Sequence, residues 1–194
     1  LEIISHGDGQ VDSESLGRFV ASYQTVSVLK LGELWAIPIM LRLALIENLR
    51  RVAIRIAADR IDYDLANAWA KRMVTVAEID PKSLVLEIAD MARLQPPMST
   101  PFVSEFKRQL QGHGLASSLP LTWIEQVLAE SGLTIEQLIL SGNQHQAADQ
   151  VSISHSIGSL RFLGRVDWCE FVESMSFVEQ TLREDPGGAY DKMD

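Results

Sequence analysis

Several features that would point directly to a biochemical class are scarce in this sequence. The 194 residues include one cysteine, Cys169, which excludes an intramolecular disulfide and a metal site built from cysteine thiolates alone. No two histidines stand at the i, i+4 spacing that places a pair of metal ligands on one helix face. We therefore predict no metal site. The four histidines are His6, His113, His145 and His155.

Positive charge is scarce as well. The chain has 17 Lys and Arg against 26 Asp and Glu, for a net charge of -9. One basic cluster, Arg50, Arg51 and Arg55, interrupts this pattern. A net negative field repels phosphate backbones. The composition therefore argues against a nucleic-acid partner.

A long, uninterrupted hydrophobic run is also missing. The most apolar stretch, 34–56, contains one proline and five charged residues, whereas a membrane-spanning helix needs about 20 consecutive apolar residues. We predict a buried core helix there and no membrane span. The chain starts at Leu1 with no leader pattern and stops at Asp194 with no closing element, so we expect both ends to continue in a longer polypeptide.

Helical signals dominate what is present. Hydrophobic residues make up 46% of the chain, and no run of alternating β-branched residues between tight-turn dipeptides predicts a strand. Apolar residues recur instead every three or four positions, the spacing of amphipathic helices. The sequence predicts an all-α multi-helix bundle with two long central helices, at about 32–58 and 135–163.

Caps and helix breakers predict the remaining organisation. Residues 1–11 are predicted to be a flexible tail, and 12–194 a helical module whose first helix is capped by Asp12 or Ser13. Further helices are predicted at about 62–77, 102–111 and 122–130. The proline-rich stretch 95–101 cannot be helical, so it is the predicted boundary if the module has two parts. The pair Asp167 and Glu170 predicts a cap for a final helix to about Arg183.

No set of side chains forms a recognisable catalytic constellation. The sequence has no nucleophile elbow, no phosphate-binding glycine loop and no dinucleotide fingerprint. Arg42 and Glu47 lie in the most apolar helix, where charges must be paired or reach the surface. We expect them to pair with residues of the last helices and to fix the register of the bundle. The four tryptophans lie in apolar stripes, which favours core packing over sugar stacking: Trp35, Trp69, Trp123 and Trp168.

Three segments together resemble the cyclic β-1,2-glucan synthase family. The first is Tyr23-Gln24 followed by LGELWAIPIMLRLALIENLRR at 31–51. The second is 144–151 with SIGSLR at 156–161. The third is DWCEFVE at 167–173 with VEQTLREDPGGAY at 178–190. The stretch between 59 and 143 resembles the family in helical pattern alone.

The resemblance implies a place within a large enzyme of the bacterial inner membrane that polymerises glucose from UDP-glucose. This segment would lie ahead of the glucosyltransferase part, on the cytoplasmic side, as a non-catalytic module that scaffolds or orients the transferase and membrane regions. We expect no catalytic residue and no cofactor in it, and other domains of the same polypeptide as partners. The alternative is a module that binds or primes β-1,2-glucan, with Tyr23 or Tyr190 as the glucan acceptor.

Overall fold

The computed structural model describes residue 4, residues 7–187 and residue 190, apart from the side chains of 115–117. Eight α-helices and no strand occur in these residues, which confirms the all-α prediction. In chain order they are α1 (Ser13–Gln24), α2 (Leu31–Ile79), α3 (Leu84–Leu94), α4 (Thr100–Leu110), α5 (Leu115–Glu130), α6 (Ile135–Leu163), α7 (Trp168–Met175) and α8 (Phe177–Arg183). A short 3₁₀ turn, Pro81–Ser83, precedes α3.

The chain divides into two compact units. The first consists of Leu1–Val52 with Asp149–Asp194, and the second of Ala53–Ala148. Helices α2 and α6 each contribute to both units. The proline-rich stretch 95–101 lies inside the second unit, so the division falls elsewhere than at that stretch. Residues 95–99 separate α3 from α4, but Thr100 and Pro101 begin α4, contrary to the prediction that the whole stretch is not helical, because proline is tolerated in the first turn of a helix.

The first unit packs α1, the beginning of α2, the end of α6 and α7 around one apolar cluster. Its most buried members include Leu16 of α1, Leu34 and Leu45 of α2, and Leu163 of α6. The second unit has a separate cluster built on α2 to α6, in which Phe102 and Phe106 stack with ring centroids 5.7 Å apart. Each unit therefore has its own core.

Helix α2 differs from the prediction in length. Instead of ending near residue 58, it continues to Ile79 and includes the helix predicted at 62–77. The intervening residues contain no glycine or proline, and Arg60 and Asp64 form an i, i+4 ion pair at 3.2 Å that supports the helix there. Pro38 lies inside α2 without ending it.

The predicted final helix is instead two helices. The break falls at Ser176, whose extended backbone ends α7 and whose hydroxyl accepts the backbone N–H of Glu179 at 3.2 Å to cap α8. Ser176 is 4% exposed. A buried serine can cap a new helix at the point where the old one stops, since its hydroxyl satisfies a free amide there.

The predicted tail is packed rather than flexible where the structure describes it. Val11 is buried, and its backbone N–H donates to Ser159 Oγ of α6 at 2.8 Å. The same hydroxyl donates to the carbonyl of Gly9 at 2.7 Å. The small residues Ser156 and Ser159 of α6 leave room for this segment.

Candidate functional site

The first unit contains an apolar groove between α1 and the beginning of α2, which we call the α1–α2 groove. Its volume is about 440 Å³. Leu16 and Val20 of α1 and Leu41 and Ala44 of α2 form its buried floor. The complete lining is Leu16, Phe19, Val20, Tyr23, Leu29, Glu33, Ala36, Ile37, Met40, Leu41, Leu43, Ala44 and Glu47.

Large apolar side chains are exposed beside this groove. Trp35, Ile39, Leu43 and Ile46 lie along one face of α2 and are between 44% and 58% exposed. Met40, on the groove side of the same helix, is 60% exposed. A soluble surface seldom carries several adjacent apolar residues of this size without a partner. We call Trp35, Ile39, Leu43 and Ile46 the α2 stripe.

The two charged residues in the groove lining stand at its two ends. The Glu33 carboxylate accepts the backbone N–H of Lys30 at 2.7 Å, at the start of α2. At the other end, Glu47 accepts from Arg50 Nε at 2.7 Å and Nη2 at 2.8 Å, and from Arg51 Nε at 3.3 Å. These guanidinium groups lower the pKa of Glu47 to about 2, and the hydrogen bond from Arg50 is the largest cause. Glu47 is therefore ionised and surrounded by positive charge.

This arrangement differs from the expectation for Arg42 and Glu47. Arg42 does reach towards a late helix, because its Nη2 donates to the carbonyl of Leu163 at the end of α6, at 2.9 Å. Glu47 instead pairs with two arginines of its own helix. Arg50 and Arg51 follow Glu47 by three and four residues, so they lie beside it on the same helix. These ion pairs join no other helix and therefore do not fix the register of the bundle.

The two tyrosines that the resemblance singled out have different surroundings. Tyr23 is 50% exposed and lines the α1–α2 groove. Tyr190 is half-buried, and its hydroxyl donates to Glu179 Oε2 at 2.7 Å. That hydrogen bond to a carboxylate raises the pKa of Tyr190 and lowers the pKa of Glu179. The structure does not bring Tyr23 and Tyr190 into one described site.

Arg183 links this tyrosine to the rest of a polar cluster on α7 and α8. Its Nε donates to Glu179 at 3.1 Å and its Nη2 donates to Glu173 at 3.0 Å. The thiol of Cys169 donates to Glu173 at 3.2 Å, and that contact raises the pKa of the thiol. A cysteine with a raised pKa is a weak nucleophile at neutral pH.

Asp167 has a structural role at the start of α7, whereas Glu170 contributes its backbone N–H and not the predicted side-chain cap. The Asp167 carboxylate accepts the backbone N–H groups of Cys169 at 3.0 Å and Glu170 at 3.1 Å, which is an N-cap. Thr134 and Gln137 form a capping box at the start of α6, with hydrogen bonds of 3.2 and 3.1 Å. The Asp167 carboxylate and the Thr134 hydroxyl therefore begin helices.

Histidines and tryptophans are dispersed. His113 and His145 are exposed, His155 is partly buried, and His6 lies outside the described residues. Across residues 7–187, with 4 and 190, no group of three or more His, Cys, Asp and Glu is close enough to hold a metal ion. Trp69 is buried and Trp35 is 44% exposed, so core packing does not account for every tryptophan.

Sequence reasoning missed the α1–α2 groove and one buried carboxylate. Glu105 is 4% exposed and accepts from Arg108 at 2.6 and 2.7 Å and from Gln109 at 2.7 Å. The contact with Arg108 lowers the pKa of Glu105. The signal for the groove was present in α2, whose apolar residues occupy more than one face, but a stripe pattern cannot say which face stays exposed.

None of the helices in the described residues is both long enough and apolar enough to cross a membrane. No protein-family model matches the chain. It is 30% identical, over 192 residues and 98% of its own length, to the cyclic beta-(1,2)-glucan synthase NdvB of Rhizobium meliloti (strain 1021). The chain spans 6% of the length of that relative.

Proposed function

We propose that this chain is a non-catalytic helical module that holds and orients other parts of a cyclic β-1,2-glucan synthase. The premise is its similarity to a segment of such an enzyme. The complete protein would transfer glucose from UDP-glucose at the cytoplasmic side of the bacterial inner membrane. The observation that carries the proposal is the exposed apolar surface of the α1–α2 groove and the α2 stripe.

The physical argument is the solvation of that surface. Burying apolar area contributes about 25 cal/mol per Å². A partner that covers Trp35, Ile39, Met40 and Leu43 would therefore bind through hydrophobic burial at little polar cost. The side chains of the groove are almost all apolar, whereas a sugar site needs several polar groups to satisfy hydroxyls. This favours a protein partner over β-1,2-glucan.

The test is a matched pair of substitutions in the complete synthase polypeptide. Met40→Glu places a charge in the groove, and Val85→Glu makes a comparable change on α3, where the side chain is also 60% exposed. Both changes are expected to leave the stability of the 194-residue chain within about 0.5 kcal/mol of wild type. We expect Met40→Glu to lower glucan synthesis in membranes at least several-fold and Val85→Glu to leave it unchanged. Equal glucan synthesis by both variants would contradict the proposed function.

A second candidate function is glucan priming at Tyr190, and the contact with Glu179 favours Tyr190 over Tyr23. An ionised carboxylate at hydrogen-bond distance from a hydroxyl is the geometry of a general base. In such a step the Tyr190 Oη bonds to the anomeric carbon of glucose as the bond from that carbon to the diphosphate breaks. UDP leaves, and the phenolic proton goes to Glu179.

Intact-mass analysis of the complete synthase, purified after glucan synthesis, tests this candidate. Tyr190→Phe is expected to abolish the covalent glucosyl mass, and Tyr23→Phe to leave it unchanged. Phenylalanine keeps the ring of either tyrosine and removes only the hydroxyl. Retention of the glucosyl mass in the Tyr190→Phe variant would remove Tyr190 from consideration.

A further inference from the structure

The α2 stripe lies on the opposite side of α2 from the buried residues of that helix. Trp35, Ile39, Leu43 and Ile46 follow one another at intervals of four, four and three positions, so they form one row along the helix. The next position of this row is Arg50, whose side chain is 59% exposed. At 3.6 residues per turn, the row points about half a turn away from the buried positions of the same segment. Those positions are Leu34, Leu41, Ala44, Leu45 and Val52.

The row is complementary to itself when a second copy runs in the opposite direction. With a two-fold axis beside Leu43, that leucine faces its own copy, and Ile39 faces Ile46. Trp35 then faces Arg50 at each end of the row. The positions match because Ile39 and Ile46 lie four and three positions from Leu43, and Trp35 and Arg50 lie eight and seven positions from it. A two-fold dimer requires a self-complementary surface of this kind.

The charges on one flank of the row match in the same arrangement. Glu33 and Arg51 are 18 positions apart, which is five full turns, so they lie on the same side of α2. In the antiparallel pair, Glu33 of each copy comes beside Arg51 of the other. A parallel pair would instead bring Glu33 beside Glu33 and Arg51 beside Arg51. Flanking charges therefore favour the antiparallel arrangement.

Two further arginines fit this arrangement. The edge of the Arg50 guanidinium donates to Glu47 at 2.7 and 2.8 Å, which leaves its flat face for the indole of Trp35 on the second copy. Arg42 lies near the two-fold axis, where it would meet its own copy. Its guanidinium is turned away, because Nη2 donates to the carbonyl of Leu163 at 2.9 Å. Neither arginine therefore opposes the contact.

We infer that the α2 stripe is a homodimer interface, on which a second copy of this chain packs its own stripe in the antiparallel direction. Covering the row would remove from water a set of adjacent large apolar side chains that a soluble surface seldom exposes. The inference goes beyond the proposed function. It assigns the stripe to a second copy and leaves the α1–α2 groove, with Met40, to other parts of the synthase.

Sedimentation equilibrium of the 194-residue chain over a wide range of concentrations tests the inference. We expect a reversible monomer–dimer equilibrium. Ile39→Glu should raise the dissociation constant at least about a hundredfold, because each copy would bring a charge into an apolar layer. Val85→Glu on α3 is the matched control, since Ile39 is 58% and Val85 60% exposed, and it should leave the constant unchanged. Circular dichroism checks that both variants stay folded.

A charge exchange tests the antiparallel direction. Glu33→Lys or Arg51→Glu alone should raise the dissociation constant roughly tenfold at low salt, since either brings like charges together twice in the dimer. The double variant should return to within about threefold of wild type, and the effects should shrink at high salt. Glu33→Lys also removes the contact with the Lys30 amide within one copy, which Arg51→Glu cannot replace. Recovery therefore reports the contact between copies, and its failure would overturn the arrangement.

The remaining outcomes also decide the inference. A chain that stays monomeric, or a dimer that Ile39→Glu leaves intact, would overturn it. A dimer that Met40→Glu dissociates as fully as Ile39→Glu would overturn it too, because the contact would then lie in the groove. Binding of a monomeric chain to vesicles containing anionic lipid, lost in Ile39→Glu, would make a membrane surface the occupant instead of a second copy.

Failure of this inference can be distinguished from failure of the proposed function. If the chain is monomeric while Met40→Glu in the complete synthase lowers glucan synthesis, the inference fails and the proposed function stands. If the dimer forms and responds to Ile39→Glu as expected, while Met40→Glu leaves glucan synthesis unchanged, the proposed function fails and the inference stands.

Discussion

Replacing Gly9 with alanine tests whether the amino-terminal segment is part of the fold. Gly9 has φ +83°, in the left-handed region that glycine adopts most readily. A Cβ added there would overlap Ser156 Oγ and lie 3.3 Å from the Ser152 carbonyl oxygen and the Ser156 nitrogen. The Ser156 hydroxyl also accepts a hydrogen bond from Asn48 Nδ2 at 3.0 Å. The substitution therefore affects both the backbone of Gly9 and this polar contact on α6.

The expected destabilisation follows from two contributions. Holding an alanine in the left-handed region costs about 1–2 kcal/mol. Displacing the Ser156 hydroxyl loses a hydrogen bond with Asn48, at about 1 kcal/mol. The Gly9→Ala variant should thus be less stable by about 2–3 kcal/mol, which corresponds to a fall in Tm of roughly 5–10 °C for a chain of this size.

Thermal and urea unfolding, followed by circular dichroism, measure this change, and Gly17→Ala is the matched control. Gly17 lies in α1, and an added Cβ would meet no atom within 4 Å. The same substitution should raise stability there by up to about 1 kcal/mol, because alanine favours a helix. The two variants should therefore differ in sign. A Gly9→Ala variant as stable as wild type would refute the reasoning.

Three other predictions concern caps, packing and pH. Arg108 lowers the pKa of Glu105 in the folded state. The stability that ionised Glu105 contributes is therefore complete above its ordinary pKa of 4.5 and is lost as pH falls through the lower folded-state pKa. Glu105→Gln should remove this part of the pH dependence of unfolding and cost about 1–3 kcal/mol at pH 7. Gly142→Ala should destabilise by about 1–3 kcal/mol, since the Cβ would overlap the Thr100 side chain, and Thr100→Ser should restore part of that loss in the double variant. Asp167→Ala should cost about 1 kcal/mol and speed amide exchange at the start of α7, measured by hydrogen–deuterium exchange.

Helix starts were predictable where the cap lies within three residues of the amide that it satisfies. Asp12 caps α1 through Ser15, as the sequence predicts, and Thr134 caps α6 through Gln137 by the same kind of contact. These hydrogen bonds depend on residue type and spacing, so no distant part of the chain is needed to form them.

Helix ends and breaks were less predictable. The sequence predicts an end for α2 near residue 58 that does not exist, and it misses the break at Ser176. Neither position has a glycine or proline to decide the outcome locally. Ser176 ends one helix and caps the next where it is buried, so its effect depends on what surrounds it.

The sequence by itself determined the all-α class, the caps, the net negative charge and the relationship to a cyclic β-1,2-glucan synthase. These depend on composition, on local spacing or on direct residue matches. Only the tertiary structure decided that Leu34 and Leu45 are buried while Ile39 and Met40 stay exposed, since α2 has apolar residues on several faces and periodicity cannot rank them. It also decided that Gly9 and Val11 pack on α6, some 150 residues away in sequence, because contacts of that separation are selected by the packing of the whole unit.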